Sequence, residues 1–185
     1  MDKMAQLIEE LELEKQISLE EIPQIDLYMD QIIQLFENKF SSWKRSEDDK
    51  VLTKTMINNY AKGKLLIPIK NKKYSKEHLI LISLIYQLKG VLSINDIKET
   101  LSGINGRLLE ETLDLEQFYQ SYLNIMDDNQ AHFTEEVEKK VEEMKNRSDM
   151  DPELEYILLI SSFVNMSHMY RRVAEKLIDQ LADKD

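Results

Sequence analysis

The sequence predicts a mainly α-helical fold, and three observations carry that prediction. Glycine and proline are scarce, four and three in 185 residues, although sheets and loops consume more of both. Apolar residues recur at helical spacing along most of the chain. Thr53, Ser75 and Ser93 each stand as an N-cap, preceded by a large apolar residue and followed four positions later by another: Leu52/Ile57, Tyr74/Leu79, Leu92/Ile97. That N′-to-N4 staple fixes where a helix starts, and three in register imply three real starts.

Residues 1–16 read as a short polar, amphipathic helix. "SLEE" (Ser18–Glu21) has the form of a capping box, which Pro23 soon interrupts. Asp26 reads as the N-cap of a helix to about Phe40, with Leu27, Ile32 or Ile33, Phe36 and Phe40 near one face. "SSWKRSEDDK" is a polar connection. The staples then give a short helix at about 54–62, a helix at about 76–89 and another at about 94–102. Between the first two, "IPIKNKKY" has β-formers at both ends and a Lys-Asn-Lys-Lys tip, which predicts a small hairpin or wing at about 67–74.

Beyond "SGINGR" (102–107) the chain turns acidic. Residues 108–147 place Leu115, Phe118, Tyr122, Met126, Phe133, Val137, Val141 and Met144 at helical spacing, and "FTEE" offers a restart with Thr134 as cap. Asp151-Pro152-Glu153 combines a cap, a proline at N1 and an acidic first turn. The last helix runs to about Leu181. Its first half is apolar nearly all round, so it must be buried in a core or against a partner. The expected organisation is an N-terminal helical segment at 1–49, a central unit of capped helices and wing at 50–102, and a helical C-terminal region at 108–185.

Several functions are not expected. There is no cysteine, hence no disulfide or thiolate chemistry. The start is acidic rather than a signal peptide, and no apolar run reaches a membrane span, so the expected location is the cytoplasm. No phosphate loop, nucleophile elbow or zinc-hydrolase motif is present, and paired carboxylates carry no signal in so acidic a chain. Neither an enzyme nor a cofactor is expected. His78, His132 and His168 lack metal spacing and read as surface or packing residues. "FVNMSHMYRR" with Tyr119 and Tyr122 could line an effector pocket, although such residues at helical spacing serve a core or dimer interface first.

Charge placement says more than the total. The net formal charge is −11, yet from Thr53 to Lys76 there are seven lysines and no acid, leaving −18 on the remainder. A solvated face usually mixes signs; a patch of one sign attracts a counter-charged partner.

Capped short helix, basic wing, longer helix and Ser-capped helix together resemble the DNA-binding domain of MerR-type winged helix-turn-helix regulators. "TKTMINNYAKGKLL" aligns without gaps with the family's recognition helix. Ile57 falls on its buried leucine, Asn58 on its arginine, Asn59 and Tyr60 on its two tyrosines, and Leu65-Leu66 on its leucine pair. Tyr74 of "KKYSKEHLILISLIYQLKG" falls on the wing tyrosine, and "LSINDIKETL" resembles the following helix. The family's helix-ending glycine is Lys64 here, and about fifty residues precede the matched stretch, 51–101. "TMINNYAKGKLL…KKYS…HL" also resembles an uncharacterised bacterial family known only as a domain of unknown function.

The resemblance implies a MerR-like winged helix-turn-helix with flanking helices, acting as a sequence-specific regulator of transcription on double-stranded DNA. Lys54, Lys62, Lys64, Lys70, Lys72 and Lys73 would neutralise phosphates. Thr53, Thr55 and Tyr60 would donate to phosphates. Asn58 and Asn59 are the base-reading candidates, because a carboxamide pairs bidentately with adenine, while helix-end or turn roles stay open for one of them. Asn71, Lys72 and Lys73 at the wing tip would lie along the backbone or minor groove, and Tyr74, on the wing tyrosine, is counted among the DNA-binding residues. A homodimer through the C-terminal helices is expected, since one short helix and wing discriminate weakly. The alternative is a non-enzymatic adaptor whose winged helix binds an acidic protein partner.

Overall fold

The structure is a computed structural model that describes residues 2–145 and 151–183. The order is α1 (Asp2–Glu10), β1 (Leu27–Tyr28), α2 (Met29–Phe40), a 3-10 turn (Ser41–Trp43), α3 (Lys54–Lys62), β2 (Lys73–Tyr74), α4 (Lys76–Leu88), α5 (Ile94–Leu109), α6 (Leu115–Lys145) and α7 (Pro152–Ala182). The protein is mainly helical, as its sequence predicts. It divides into two compact units, Lys15–Asn124 and the combination of Met1–Glu14 with Ile125–Lys184. These boundaries differ from breaks at 49/50 and 102/108, because β1, α2 and the start of α6 share the core of the central helices.

In the first unit α4 is the hub. Every residue from His78 to Ile85 is buried, which explains why "HLILISLI" is apolar all round rather than striped. Ile32, Phe36 and Phe40 of α2, Ile57 of α3, Ile97 and Leu101 of α5, and Leu115, Tyr119 and Leu123 of α6 belong to the same core. Phe36 meets Tyr86 edge-on at 5.6 Å, and Phe40 stacks on the same ring at 4.8 Å. The Tyr119 hydroxyl donates to the Ile17 carbonyl at 2.8 Å, tying the segment before β1 to α6.

Three sequence expectations are corrected here. The N-cap of α2 is Tyr28, not Asp26, and the Gln31 side chain accepts its backbone N–H at 2.8 Å. The start is displaced because Leu27 and Tyr28 are committed to β1, antiparallel to β2, with Leu27 opposite Tyr74 and Tyr28 opposite Lys73. α5 does not stop at 102 but continues through Gly103 and Gly106 to Leu109; glycine weakens a helix interior by about 1 kcal/mol without breaking it. α6 does not restart at Thr134, whose hydroxyl donates to the Gln130 carbonyl one turn back, a satisfied mid-helix position. Residues 146–147 of the expected helix lie outside the described residues. "SLEE" makes the N-cap half of its capping box, the Ser18 N–H donating to the Glu21 carboxylate at 2.8 Å, and closes a turn before Pro23.

In the second unit α7 opens as its sequence predicts, with Asp151 accepting the Glu153 N–H at 2.9 Å and Pro152 at N1. Its apolar first half is not hidden within the chain. Leu154, Tyr156, Ile157, Leu158, Ile160 and Val164 all remain exposed.

Candidate nucleic-acid interface

α3 begins where Thr53 caps it, its hydroxyl accepting the Met56 N–H at 3.2 Å. The approach to that cap is fixed from α4, where the Lys89 ammonium donates to the Val51 carbonyl at 3.0 Å and lies 4.3 Å from the Tyr86 ring centre. Ile57 and Tyr60 are buried, and Lys54, Thr55, Asn58, Asn59 and Lys62 are exposed. At 100° per residue those five exposed positions span an arc of about 140°. One face of α3 thus carries two lysines, two asparagines and a threonine, and the helix contains no acid.

The helix closes in a Schellman motif. The Leu65 N–H reaches the Tyr60 carbonyl at 3.0 Å and the Lys64 N–H reaches the Ala61 carbonyl at 3.1 Å. Lys64 occupies the left-handed C′ position with φ of 61°, where glycine is the low-cost residue. This is the position at which the sequence alignment sets lysine on glycine. Leu65 folds back so closely that a Cβ on Gly63 would sit 2.7 Å from Leu65 Cδ1. From α5, the Asn105 amide donates to the Leu65 carbonyl at 3.0 Å and pins the chain as it leaves α3.

The basic tip is a tight turn. Lys70 and Lys73 form a β-bridge, the Lys73 N–H donates to the Lys70 carbonyl at 2.9 Å, and Asn71 and Lys72 have φ of 53° and 57°. Positive φ at both central residues is the mark of a type I′ hairpin turn. Lys70 and Lys73 are therefore like charges placed opposite one another, an arrangement that weakens a hairpin by a few tenths of a kcal/mol or more. The return strand is held from outside the hairpin by β1, with the Lys73 ammonium 5.6 Å from the Tyr28 ring centre.

His78 joins this turn to α4. Its Nδ1 accepts the Ser75 N–H at 3.1 Å, so the neutral ring carries its proton on Nε2, 3.2 Å from the Ile67 carbonyl. The imidazole does the work that Glu or Gln does in an ordinary capping box. Burial holds its pKa below the usual histidine value, outweighing the Ile67 hydrogen bond and the charges of Glu77 and Asp26.

Of the residues singled out in the sequence, Lys54, Thr55, Asn58, Asn59, Lys62, Lys64, Lys70, Asn71, Lys72 and Lys73 are exposed on α3 or the turn that follows. Thr53 is partly buried and spends its hydroxyl on the cap. Tyr60 and Tyr74 are corrected. They are only 4% and 3% exposed, and burial pushes the Tyr60 phenol up to about 12; both belong to the core and neither presents a phosphate contact. Two lysines of the window have carboxylate partners: Lys54 meets Asp30 at 2.7 Å, both exposed, and Lys76 meets Glu116 at 2.8 Å. Lys62, Lys64, Lys70 and Lys72 have no ion pair among the described residues. Sequence reasoning missed Tyr28, Lys89, His78 and Asn105 as the residues that hold this surface in place.

No group of three or more residues that could hold a metal occurs among the described residues, and no described helix is long and apolar enough to cross a membrane. The model of a family described as "Domain of unknown function (DUF1836)" matches residues 17–122, nearly the span of the first compact unit. No curated protein and no solved structure matches the chain.

Proposed function

The chain belongs to the DUF1836 family, and from that premise we propose that it is a sequence-specific DNA-binding regulator with a MerR-like winged helix-turn-helix. α3 lies in the major groove as recognition helix, α2 is its supporting helix, and the Lys70–Lys73 turn is the wing on the backbone. The observation that carries this reading is the exposed face of α3, where Asn58 and Asn59 stand among Lys54, Thr55 and Lys62 with no acid on the helix. Lysines supply affinity that is independent of sequence by releasing counterions. Carboxamides supply discrimination, about 1–3 kcal/mol for a good bidentate contact. The exposed Lys54–Asp30 pair is worth little in water, so a phosphate displaces Asp30 at small cost. The opposed lysines at the turn gain when a polyanion separates their charges.

One feature departs from helix-turn-helix proteins. The connection between α2 and α3, residues 41–53, exceeds their usual turn of about 3–4 residues. It is anchored at both ends, by Trp43 against Phe40 at 4.9 Å and by Lys89 on Val51, so α3 is held despite its length.

The test is selection of bound fragments from a random duplex pool with the full chain, followed by salt titration on the recovered site. Enrichment of one motif, with log affinity falling steeply as log salt rises, is the expected result. Recovery of no motif, together with salt-insensitive binding or none, refutes the proposal and leaves an acidic protein as the counterpart of the basic face.

A further inference from the structure

The outer face of the small sheet holds one residue from outside the basic window. Opposed residues of an antiparallel ladder share a face, and neighbours along a strand alternate between faces. Leu27 and Tyr74, which oppose one another, are both buried. Tyr28 and Lys73, the other opposed pair, are both exposed, and Lys70 stands opposite Lys73 on its far side. Lys70, Lys73 and Tyr28 therefore form one row on the solvent face, about 10 Å from end to end at the usual strand spacing. Among the tyrosines of the first compact unit Tyr28 alone is exposed, at 55%. The Lys73 ammonium lies 5.6 Å from its ring centre. Its side chain makes no hydrogen bond as N-cap of α2, so its hydroxyl is free to donate.

We infer that Tyr28 is a further DNA-contacting residue, with one backbone phosphate of the duplex held between the Lys73 ammonium and the Tyr28 hydroxyl. This rests on the reading of the basic surface as duplex-binding. It adds to that surface a residue outside both the lysine window and the stretch aligned with MerR-type regulators. A backbone phosphate presents two free oxygens, and a cation beside a neutral O–H offers each of them a donor. The lysine supplies charge and the phenol a directed hydrogen bond. The phosphate contact expected of Tyr60 and Tyr74, which the core absorbs, thus falls to Tyr28. Of the two acids that flank it along the chain, Asp30 pairs with Lys54 at 2.7 Å, and Asp26 bears on His78, which meets Tyr74 edge-on at the buried face of the sheet. The contact extends the hold on the backbone from the basic turn to the start of α2.

The test measures the affinity of full-length variants for a random-sequence duplex over a range of salt concentrations. Tyr28→Phe keeps the ring beside Lys73 and removes only the hydroxyl. It should weaken binding about three- to tenfold at every salt concentration. The slope of log affinity against log salt should stay as it was, because a neutral donor releases no counterion. Lys73→Gln should instead lower that slope by about 0.9. The two substitutions together should cost less than the product of their separate fold losses, since both donors serve one phosphate. If Lys73→Gln flattens the slope while Tyr28→Phe binds as tightly as the original, the phenol makes no contact and duplex binding stands without it. Losses that simply multiply, or a slope that Lys73→Gln leaves unaltered, would equally overturn the shared phosphate. A full chain that binds no duplex overturns this inference together with the reading it rests on.

Discussion

The two compact units solve opposite problems with similar raw material. In Lys15–Asn124 the large apolar side chains converge on α4, and what α3 and its turn leave outside is positive. In the other unit α7 leaves leucine, isoleucine, valine and tyrosine in water and gathers its charges toward the two ends. A surface charge patch is tolerable in an isolated chain, since water and counterions solvate it. A row of large apolar residues is tolerable only until another surface covers it. The first unit is therefore complete as a fold and open as an interface, while the second is incomplete until something packs on it.

The sharpest way to break this contrast is to remove apolar bulk from each side. Ile85→Ala, at a fully buried position of α4, should cost about 2–5 kcal/mol in chemical denaturation. Val164→Ala, at an exposed position of α7, should change stability by no more than about 0.5 kcal/mol. Equal losses of stability would show that α7 is packed within its own chain after all.

The next largest effect concerns charge. Lys72→Glu combined with Lys73→Glu should lower the slope of log affinity against log salt by about 2, near 0.9 for each phosphate no longer neutralised. An unaltered slope in filter binding or fluorescence anisotropy would remove the turn from the interface.

A smaller effect comes from the joint between turn and core. Burial lowers the pKa of His78 in the folded chain, so below its ordinary value of 6.5 the unfolded chain binds the extra proton first. Its contribution is complete above pH 6.5 and is lost as pH falls from there toward the folded value. His78→Gln, which can still accept the Ser75 N–H, should flatten that stretch of a stability–pH curve. A curve of unchanged shape would exclude His78 as its source.

The smallest effect separates folding from binding. Lys72→Gly relieves a left-handed lysine at φ of 57° and should raise stability by up to about 1 kcal/mol while still weakening the grip on the phosphate backbone. A variant that is both less stable and a weaker binder would mean that the lysine side chain supports the turn itself.

These contrasts were unevenly legible in the sequence. The starts of α3, α4 and α5 could be read because a cap and its staple lie within a few residues of one another, and that of α7 because a cap, an N1 proline and an acidic first turn follow one another directly. The pairing of Leu27–Tyr28 with Lys73–Tyr74 could not, since the two short strands lie far apart in the sequence and no local signal links them. That distant pairing also moved the cap of α2 from Asp26 to Tyr28. Gly103, Gly106 and Thr134 suggested breaks on local propensity, and tertiary packing together with a hydroxyl bonded one turn back overrode it. At the basic surface the lysines and asparagines were readable as residues that burial does not favour. Tyr60 and Tyr74 were misplaced because a phenol suits either a wet edge or a core, and composition cannot choose between them.

The β1–β2 pairing has a mechanical consequence. The return arm of the turn is stitched to the two residues immediately before α2, so the tip and α2 are joined directly. A trimmed version beginning at α3 would keep every lysine of the basic face and lose the rail along which its finger is clamped. Anyone shortening this protein to its smallest working piece must keep the chain from the Ile17 carbonyl, which Tyr119 holds, onward.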